Sequence, residues 1–233
     1  TPTGMAIYER AARRGIPAQC EMGGKNPVIV LEDADIDLAV AGVMAGAFGS
    51  TGQRCTATSR VILLHPVADA FLERLVDAAS KLRLGSGLAE SVDMGPIVSE
   101  AQLQRVLEYI DIGKHEGAEL LYGGKRVTTG ALSKGYFVEP TIFDRVRPEM
   151  RIAQEEIFGP VLAVIRVESF DEALAAANDS QFGLTSSIYT RDALRMFRYI
   201  DEIETGMTHV NSPTLGGEAQ VPFGGTKATT VGP

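Results

Sequence analysis

The spacing of apolar residues alternates along the chain between two patterns, and this alternation predicts a series of strands and helices. Continuous apolar or β-branched runs at 26–32 and 160–167 are typical of buried strands. Between them, apolar residues three and four positions apart predict helices, for example over 67–85. Capping boxes mark two further helix starts, at Ser99 with Gln102 and at Ser169 with Glu172.

Strands and helices that alternate in this way predict an α/β fold with three αβα layers and a mostly parallel sheet. The sequence contains no internal repeat and no low-complexity linker, so we expect one main domain over 21–233. Residues 1–20 begin with a helix that no strand precedes, and we expect them to be the remnant of another domain. The closing KATTVGP predicts no element. We therefore expect a piece of a larger enzyme with a truncated C-terminal tail.

Composition narrows the classes of function. The 233 residues carry a net charge of −8, which disfavours binding to the phosphate backbone of nucleic acids. No apolar run reaches the roughly 18 residues that a membrane span needs. Two cysteines without a secretory segment favour a reducing, cytoplasmic setting, and three scattered histidines predict no metal site.

One cysteine, Cys55, lies in the stretch STGQRCTATSR, among polar residues rather than in an apolar run. A nucleophilic cysteine needs access and a stabilised thiolate, and Gly49 and Gly52 permit an unusual backbone path beside it. Arg54 adds a positive charge nearby. A half-buried loop cysteine without a catalytic role explains the local sequence equally well.

Two acidic stretches are candidates for a general base or for ligand binding. In CEMGGKNP, Glu21 lies between small or apolar residues, and partial desolvation there would suit it as a general base. In AQEEIFGPV, the adjacent acids at 155 and 156 cannot both face inward, and an inward carboxylate can bind ligand hydroxyls such as those of a ribose. When each stretch is taken alone, a solvated surface turn with an ordinary acid explains it better.

Two later residues are candidates for ligand contacts. Asn211 follows a predicted strand, and strand ends often carry ligand contacts in open parallel sheets. Phe223, in the loop VPFGGTK, can line an apolar pocket or can pack under that loop as a core residue.

Taken together, four stretches resemble motifs of the aldehyde dehydrogenase superfamily, in the same order and at approximately the same spacing. They are EMGGKNP, FGSTGQRCTATSR, EEIFGPVL and PFGGTK, and the resemblance covers the whole chain. It implies NAD(P)-dependent oxidation of an aldehyde to a carboxylate. In such an enzyme Cys55 attacks the aldehyde carbon, its backbone N–H helps to hold the oxyanion, and Glu21 activates the water that hydrolyses the thioester.

The resemblance also implies roles for further residues and for the two parts of the chain. Five residues would contact NAD or NADP: Glu156 at the nicotinamide ribose, Phe158, Met22 and Gly23 near the nicotinamide, and Thr1 beside the pyrophosphate. Four residues would line the substrate pocket: Arg54, Thr56, Asn211 and Phe223. Residues 1–20 would be the end of a dinucleotide-binding domain, and 21–233 the catalytic domain of a homo-oligomer. Since the oxyanion asparagine and the residues that select NAD or NADP fall outside the chain, we expect this chain alone to be a poor enzyme.

Within the family, AGAFGSTGQRCTATSRVI and PFGGTKATT most resemble the branch that oxidises α-ketoglutaric semialdehyde. A dicarboxylate product requires a cationic pocket, for which Arg54 is a candidate. Two rival functions stay open. One is a cysteine-dependent acyl hydrolase that uses Cys55 and Glu21 without nicotinamide, and the other is a non-catalytic domain kept for assembly.

Overall fold

A seven-stranded sheet forms the centre of the computed structural model, which describes residues 1–217 and 219–232. In spatial order its strands are β4 (Glu119–Tyr122), β5 (Thr141–Asp144), β6 (Val161–Val167), β3 (Thr58–Leu64), β2 (Asn26–Val30), β8 (Thr185–Tyr189) and β9 (Met207–Val210). β4 pairs antiparallel with β5, and the other pairings are parallel. The prediction of a mostly parallel sheet is confirmed.

Helices occupy most of the connections: α1 (Pro2–Arg13), α2 (Ile36–Phe48), α3 (His65–Ser80), α4 (Glu100–His115), α5 (Arg151–Gln154), α6 (Phe170–Asn178) and α7 (Ala193–Glu202). As predicted, the side chains of Ser99 and Ser169 cap α4 and α6, each accepting a backbone N–H three residues on. The side chains three residues later bond elsewhere: Gln102 donates to the carbonyls of Ile157 and Phe158, and Glu172 accepts from the Glu168 N–H. Across residues 1–217 and 219–232, no helix combines the length and apolarity that crossing a bilayer requires.

The helices lie on both faces of the sheet. The connection from β2 to β3 runs towards β4, whereas the connections from β6 to β8 and from β8 to β9 run the opposite way. Because parallel crossovers are right-handed, α2 covers one face while α6 and α7 cover the other. Two covered faces explain why Val28, Ile29 and Val30 are all fully buried. This arrangement gives the predicted αβα layers.

Two short antiparallel pairs join distant parts of the chain. β1 (Cys20–Glu21) pairs with β11 (Thr230–Val231), and β7 (Phe182–Gly183) pairs with β10 (Thr226–Lys227). The expectation that KATTVGP forms no element was wrong, because these two-residue strands depend on partners far away in the sequence.

The main candidate site residues lie in loops at the amino ends of the central strands. Cys55 comes directly before β3, the turn Glu21–Gly24 comes before β2, and Glu156 and Phe158 come before β6. Since β2, β3 and β6 are parallel neighbours, their amino ends lie side by side. The fold therefore brings three sequence-distant loops to one edge of the sheet.

Candidate active site

Cys55 follows a strained turn between α2 and β3. Ser50 and Thr51 have left-handed backbone angles, with φ of 52° and 60°, and Gly52 continues this path with φ of 64°. A Cβ on Gly52 would lie 2.2 Å from the carbonyl oxygen of Gly159, so the turn requires glycine where it meets the loop before β6. The Cys55 side chain itself is half-buried, which leaves its sulfur partly accessible.

Hydrogen bonds from the segment after α3 hold this strained turn. Thr51 Oγ1 donates to the Gly95 carbonyl at 3.1 Å. The Gln53 side chain donates to the Pro96 carbonyl at 3.2 Å and accepts from the Val98 N–H at 2.9 Å. These bonds hold the unfavourable backbone angles in one conformation and so fix the start of the segment that carries Cys55.

Cys55 shares a small cavity, of about 20 Å³, with the loop that precedes β6. Residues from all three amino-edge loops line it, among them Gly24, Arg54, Cys55, Ser59, Glu156 and Phe158. Such a volume holds about one water molecule, so this cavity is too small to hold a cofactor and can form only the innermost part of a binding site. A larger cleft, of about 650 Å³, lies at the carboxyl ends of β3, β5 and β6 and does not contain Cys55.

The two adjacent acids before β6 point in different directions, as the sequence predicted. Glu155 accepts hydrogen bonds from Arg151 Nε at 2.7 Å and from the Tyr109 hydroxyl. Glu156 turns instead to the cavity, where its Oε1 accepts from the Gly24 N–H at 3.1 Å. One carboxylate is thus neutralised by a surface arginine, while the other is available beside Cys55.

A buried lysine lies near Glu156 and affects its charge. Burial raises the pKa of Glu156, while the Gly24 N–H and the positive charge of Lys25 oppose this rise. Lys25 is fully buried, and within the described part of the chain its Nζ has no hydrogen-bond partner. Burial and repulsion by Arg60 lower the pKa of Lys25 to about 7, although Glu156 favours its charged form. The charge states of Lys25 and Glu156 therefore depend on each other.

Phe158 lies at the rim of the cavity with a strained backbone. Its φ is 59°, and its side chain is 38% exposed. Gln102 Nε2 donates to the carbonyls of Ile157 and Phe158 at 2.8 and 3.0 Å, so the first turn of α4 holds this conformation. An exposed aromatic ring held in place at a cavity rim is suited to packing against a planar ligand.

A sequence model of the aldehyde dehydrogenase family matches residues 1–233. The chain belongs to this family. The alpha-ketoglutaric semialdehyde dehydrogenase of Bacillus subtilis (strain 168) is 51% identical over 227 residues, which cover 97% of this chain and 46% of that relative. The alpha-ketoglutarate semialdehyde dehydrogenase of Haloferax volcanii is 49% identical over 97% of this chain and 47% of the relative.

Solved structures of aldehyde dehydrogenases share this fold. The betaine aldehyde dehydrogenase of Staphylococcus aureus, in complex with NAD+, superposes with a TM-score of 0.95 at 36% identity. The match covers 99% of this chain and 45% of that one. The chain spans about half the length of the curated relatives it matches.

Glu21 lies outside the Cys55 cavity and is exposed. Its carboxylate accepts hydrogen bonds from Gln19 Nε2 at 3.0 Å and from Thr230 Oγ1 at 2.9 Å. The expectation of a partly desolvated carboxylate was wrong, because Glu21 lies in the two-stranded β1–β11 ribbon and not under the main sheet.

The remaining residues expected at the cofactor lie around Glu156 and α1. A Cβ on Gly23 would lie 2.5 Å from Glu156 Oε2, so Gly23 leaves room for that carboxylate. Met22 packs on α1, since a Cβ on Gly4 would lie 2.5 Å from the Met22 sulfur. Thr1 is exposed just before the start of α1.

The four residues expected in the substrate pocket do not come together. Arg54 and Thr56 flank Cys55, and Arg54 is exposed at the cavity. Phe223 is 48% exposed and lies outside the cavity. Asn211 lies at the opposite, carboxyl edge of the sheet, and its side-chain amide binds the backbone N–H and carbonyl of Thr190 at 3.0 Å each. This corrects the assignment of Asn211 to the substrate pocket, because its amide oxygen and nitrogen both form hydrogen bonds to the backbone of Thr190, directly after β8.

Three residues near Cys55 escaped the sequence analysis. Thr214 is fully buried, and its Oγ1 donates to the Thr56 carbonyl at 2.8 Å. Ser59 lines the cavity with a buried hydroxyl that has no partner among the described residues. Asn26 binds the Cys55 carbonyl directly. A polar residue at the start of a buried apolar run was an available signal for Asn26, whereas Thr214 and Ser59 have no local signal.

Proposed function

We propose that this protein is part of an NAD(P)-dependent aldehyde dehydrogenase that oxidises its substrate through a covalent bond to Cys55. The observation that supports this most directly is the cavity shared by Cys55, Glu156 and Phe158. A nucleophile, a carboxylate able to bind hydroxyls and an exposed aromatic ring thus meet at one edge of the sheet. These are the groups that attack on an aldehyde and binding of a nicotinamide ribose require.

The residues around Glu156 fit a hydroxyl-bearing ligand. One carboxylate oxygen is fixed by the Gly24 N–H, and Gly23 leaves space that a Cβ would fill next to the other oxygen. We infer that Glu156 accepts hydrogen bonds from ribose hydroxyls and that Phe158 packs near the nicotinamide. When bound, NAD(P)+ supplies the acceptor for the hydride that leaves the substrate carbon.

Cys55 supplies the bond that prepares the aldehyde for oxidation. Its thiolate sulfur adds to the carbonyl carbon, and the carbonyl oxygen takes the negative charge. Across residues 1–217 and 219–232, no acceptor binds the Cys55 N–H, so this donor is available to the oxyanion. Loss of hydride from the same carbon restores the C=O bond and leaves a thioester on Cys55, which water then hydrolyses to the carboxylic acid.

Glu21 is our candidate for the base that takes a proton from that water. Its carboxylate is exposed and bound to Gln19 and Thr230, two uncharged side chains that water can replace. Glu21 lies three residues before Gly24, whose backbone lies against the Cys55 carbonyl. The proposal therefore requires Glu21 to leave Thr230 during thioester hydrolysis.

For the substrate we propose α-ketoglutaric semialdehyde. The similarity to two relatives of that name supports this choice, as does the exposed Arg54 next to Cys55. An Arg54→Gln variant is then expected to raise KM for this anionic aldehyde while leaving KM for an uncharged aldehyde of similar length unchanged. We further propose that residues 1–20 end a dinucleotide-binding domain, that 21–233 form the catalytic domain, and that the full-length enzyme is a cytoplasmic homo-oligomer.

Paired assays on the full-length enzyme, its Cys55→Ser variant and the control Cys20→Ser test the proposal. Reduction of NAD+ is followed with the aldehyde, and ester cleavage is followed with p-nitrophenyl acetate alone. We expect both reactions to need Cys55 and to tolerate loss of Cys20. Ester cleavage without any NAD+ reduction would favour the acyl hydrolase, and a Cys55 inert in both assays would favour an assembly domain.

A further inference from the structure

Asn26 occupies an unusual position at the amino edge of the sheet. It is the first residue of β2, its exposed fraction is 2%, and the pairing with β3 shifts register between Asn26 and Pro27. Proline has no N–H to donate to a neighbouring strand. The backbone thus leaves a gap in the hydrogen bonding between β2 and β3 at the place where the Cys55 turn joins β3.

The Asn26 side chain fills this gap. Its Nδ2 donates to the Cys55 carbonyl at 2.7 Å and to the Ala57 carbonyl at 2.8 Å. Its Oδ1 accepts from the Thr185 N–H of β8 at 3.3 Å. The opposite orientation of the amide would place Oδ1 against two carbonyl oxygens, so the hydrogen bonds fix which end faces Cys55.

Close packing adds to these bonds. A Cβ on Gly24 would lie 2.6 Å from the Cys55 carbonyl oxygen, so that oxygen is confined between the Gly24 backbone and the Asn26 amide. Fixing this carbonyl fixes the peptide plane that follows Cys55. The directions of the Cys55 Cα–Cβ bond and of its N–H then vary less than they would in a free turn.

We propose that Asn26 is a positioning residue for Cys55. It holds the turn so that the sulfur faces the carbonyl carbon of the substrate while the Cys55 N–H faces the carbonyl oxygen. The inference rests on the proposed function, since it concerns how Cys55 reacts with a carbonyl. It assigns to Asn26 no contact with substrate or cofactor.

Two reactions of Cys55 distinguish a positioning role of Asn26 from a general effect of Asn26 on the stability of the protein. Alkylation by iodoacetamide needs an accessible thiolate, whereas acylation by p-nitrophenyl acetate also needs the N–H aimed at the developing oxyanion. Both rates are measured at Cys55 by peptide mass spectrometry, with Cys20 of the same sample as the internal reference. The variants are Asn26→Ala, Asn26→Ser, which keeps one donor, and Tyr199→Phe, which removes a different buried hydrogen bond, to Ser186.

For Asn26→Ala we expect acylation to fall at least tenfold more than alkylation, on the scale of roughly a hundredfold that a misplacement of about 1 Å causes. Asn26→Ser should recover part of this loss, and Tyr199→Phe should leave the ratio of the two rates unchanged. Hydrogen exchange over 54–57 should become faster in Asn26→Ala. Equal loss of both reactions, or unchanged exchange over 54–57, would overturn the inference.

Failure of the proposed function gives a different result. A wild-type Cys55 that is alkylated but never acylated contradicts the proposed chemistry. The exchange measurement over 54–57 then still decides whether Asn26 holds the turn, because it requires no reaction at the sulfur.

Discussion

The Glu156 carboxylate accepts a hydrogen bond from the Gly24 N–H at 3.1 Å, across a sequence separation of 132 residues. The same glycine lies against the Cys55 carbonyl. A single backbone position therefore connects the proposed nucleophile with the proposed ribose ligand. The site depends on how closely these three loops approach one another, and this dependence leads to the first prediction.

Gly24→Ala should destabilise the protein and slow the reaction of Cys55. The added Cβ would lie 2.6 Å from the Cys55 carbonyl oxygen, which is a backbone atom, so one of the two loops must move. Forcing extra volume into a packed site costs typically 1–3 kcal/mol. Gly49→Ala is the matched control from the same region, since a Cβ there meets no atom within 4 Å. Urea unfolding and the rate of Cys55 acylation measure both effects, and equal results for the two variants would refute the prediction.

Glu156→Gln should weaken the binding of NAD+ by about tenfold or more, because a hydrogen bond to a charged group contributes about 1.5–3 kcal/mol. Glu155→Gln is the control, because that carboxylate faces Arg151 and Tyr109 instead of the cavity. Titration calorimetry gives both dissociation constants. A similar loss of affinity in the two variants would show that Glu156 has no special role at the ribose.

Lys25→Met should change how stability depends on pH. The pKa of Lys25 falls from 10.5 to about 7 on folding, so between these values the unfolded chain binds more protons than the folded chain. Protonation of Lys25 therefore favours the unfolded chain. The free energy of unfolding of the wild type is highest above pH 10.5, where Lys25 is neutral in both states, and it decreases as the pH falls to 7. Relative to Lys25→Met, the wild type should therefore gain about 3 kcal/mol between pH 7 and pH 10, at about 1.4 kcal/mol for each pKa unit.

Urea unfolding of both proteins across this pH range provides the measurement. Lys81→Met is the control, because Lys81 is exposed and forms a surface ion pair with Asp77. The Lys81 variant should follow the wild type at every pH. A constant difference between wild type and Lys25→Met would mean that Lys25 does not titrate in this range.

The order of strands and helices follows from the sequence because its signals are local. Apolar runs such as Val161–Val167 and caps such as Ser99 and Ser169 determine their elements within a few residues. The two-residue strands gave no such signal. Cys20 pairs with Val231 from the other end of the chain, and a pairing of this kind exists only when the fold is complete.

The site was predictable in its parts and not in its geometry. The motif around Cys55 could be predicted because loop composition is local, and the alternation of side chains predicted that one of the two adjacent acids faces inward. That this acid is Glu156 was implied only by the resemblance to the family. The exposure of Glu21 could not, since it depends on the contact with Thr230 in β11. Nor could the contact of Thr214 with Thr56, which joins residues 158 positions apart. The position of Asn211 at a strand end suggested a ligand contact, but its side-chain amide forms hydrogen bonds to the Thr190 backbone instead.

The central claim is that Cys55 carries the substrate while it is oxidised and that Glu21 assists release. Mass spectrometry of the full-length enzyme, quenched in acid after mixing with α-ketoglutaric semialdehyde and NAD+, tests it most directly. The account predicts an acyl thioester on the Cys55 peptide, none on the Cys20 peptide, and a larger amount of adduct in Glu21→Gln than in the wild type. NAD+ reduction that proceeds without any adduct at Cys55, or that survives in Cys55→Ser, would contradict it.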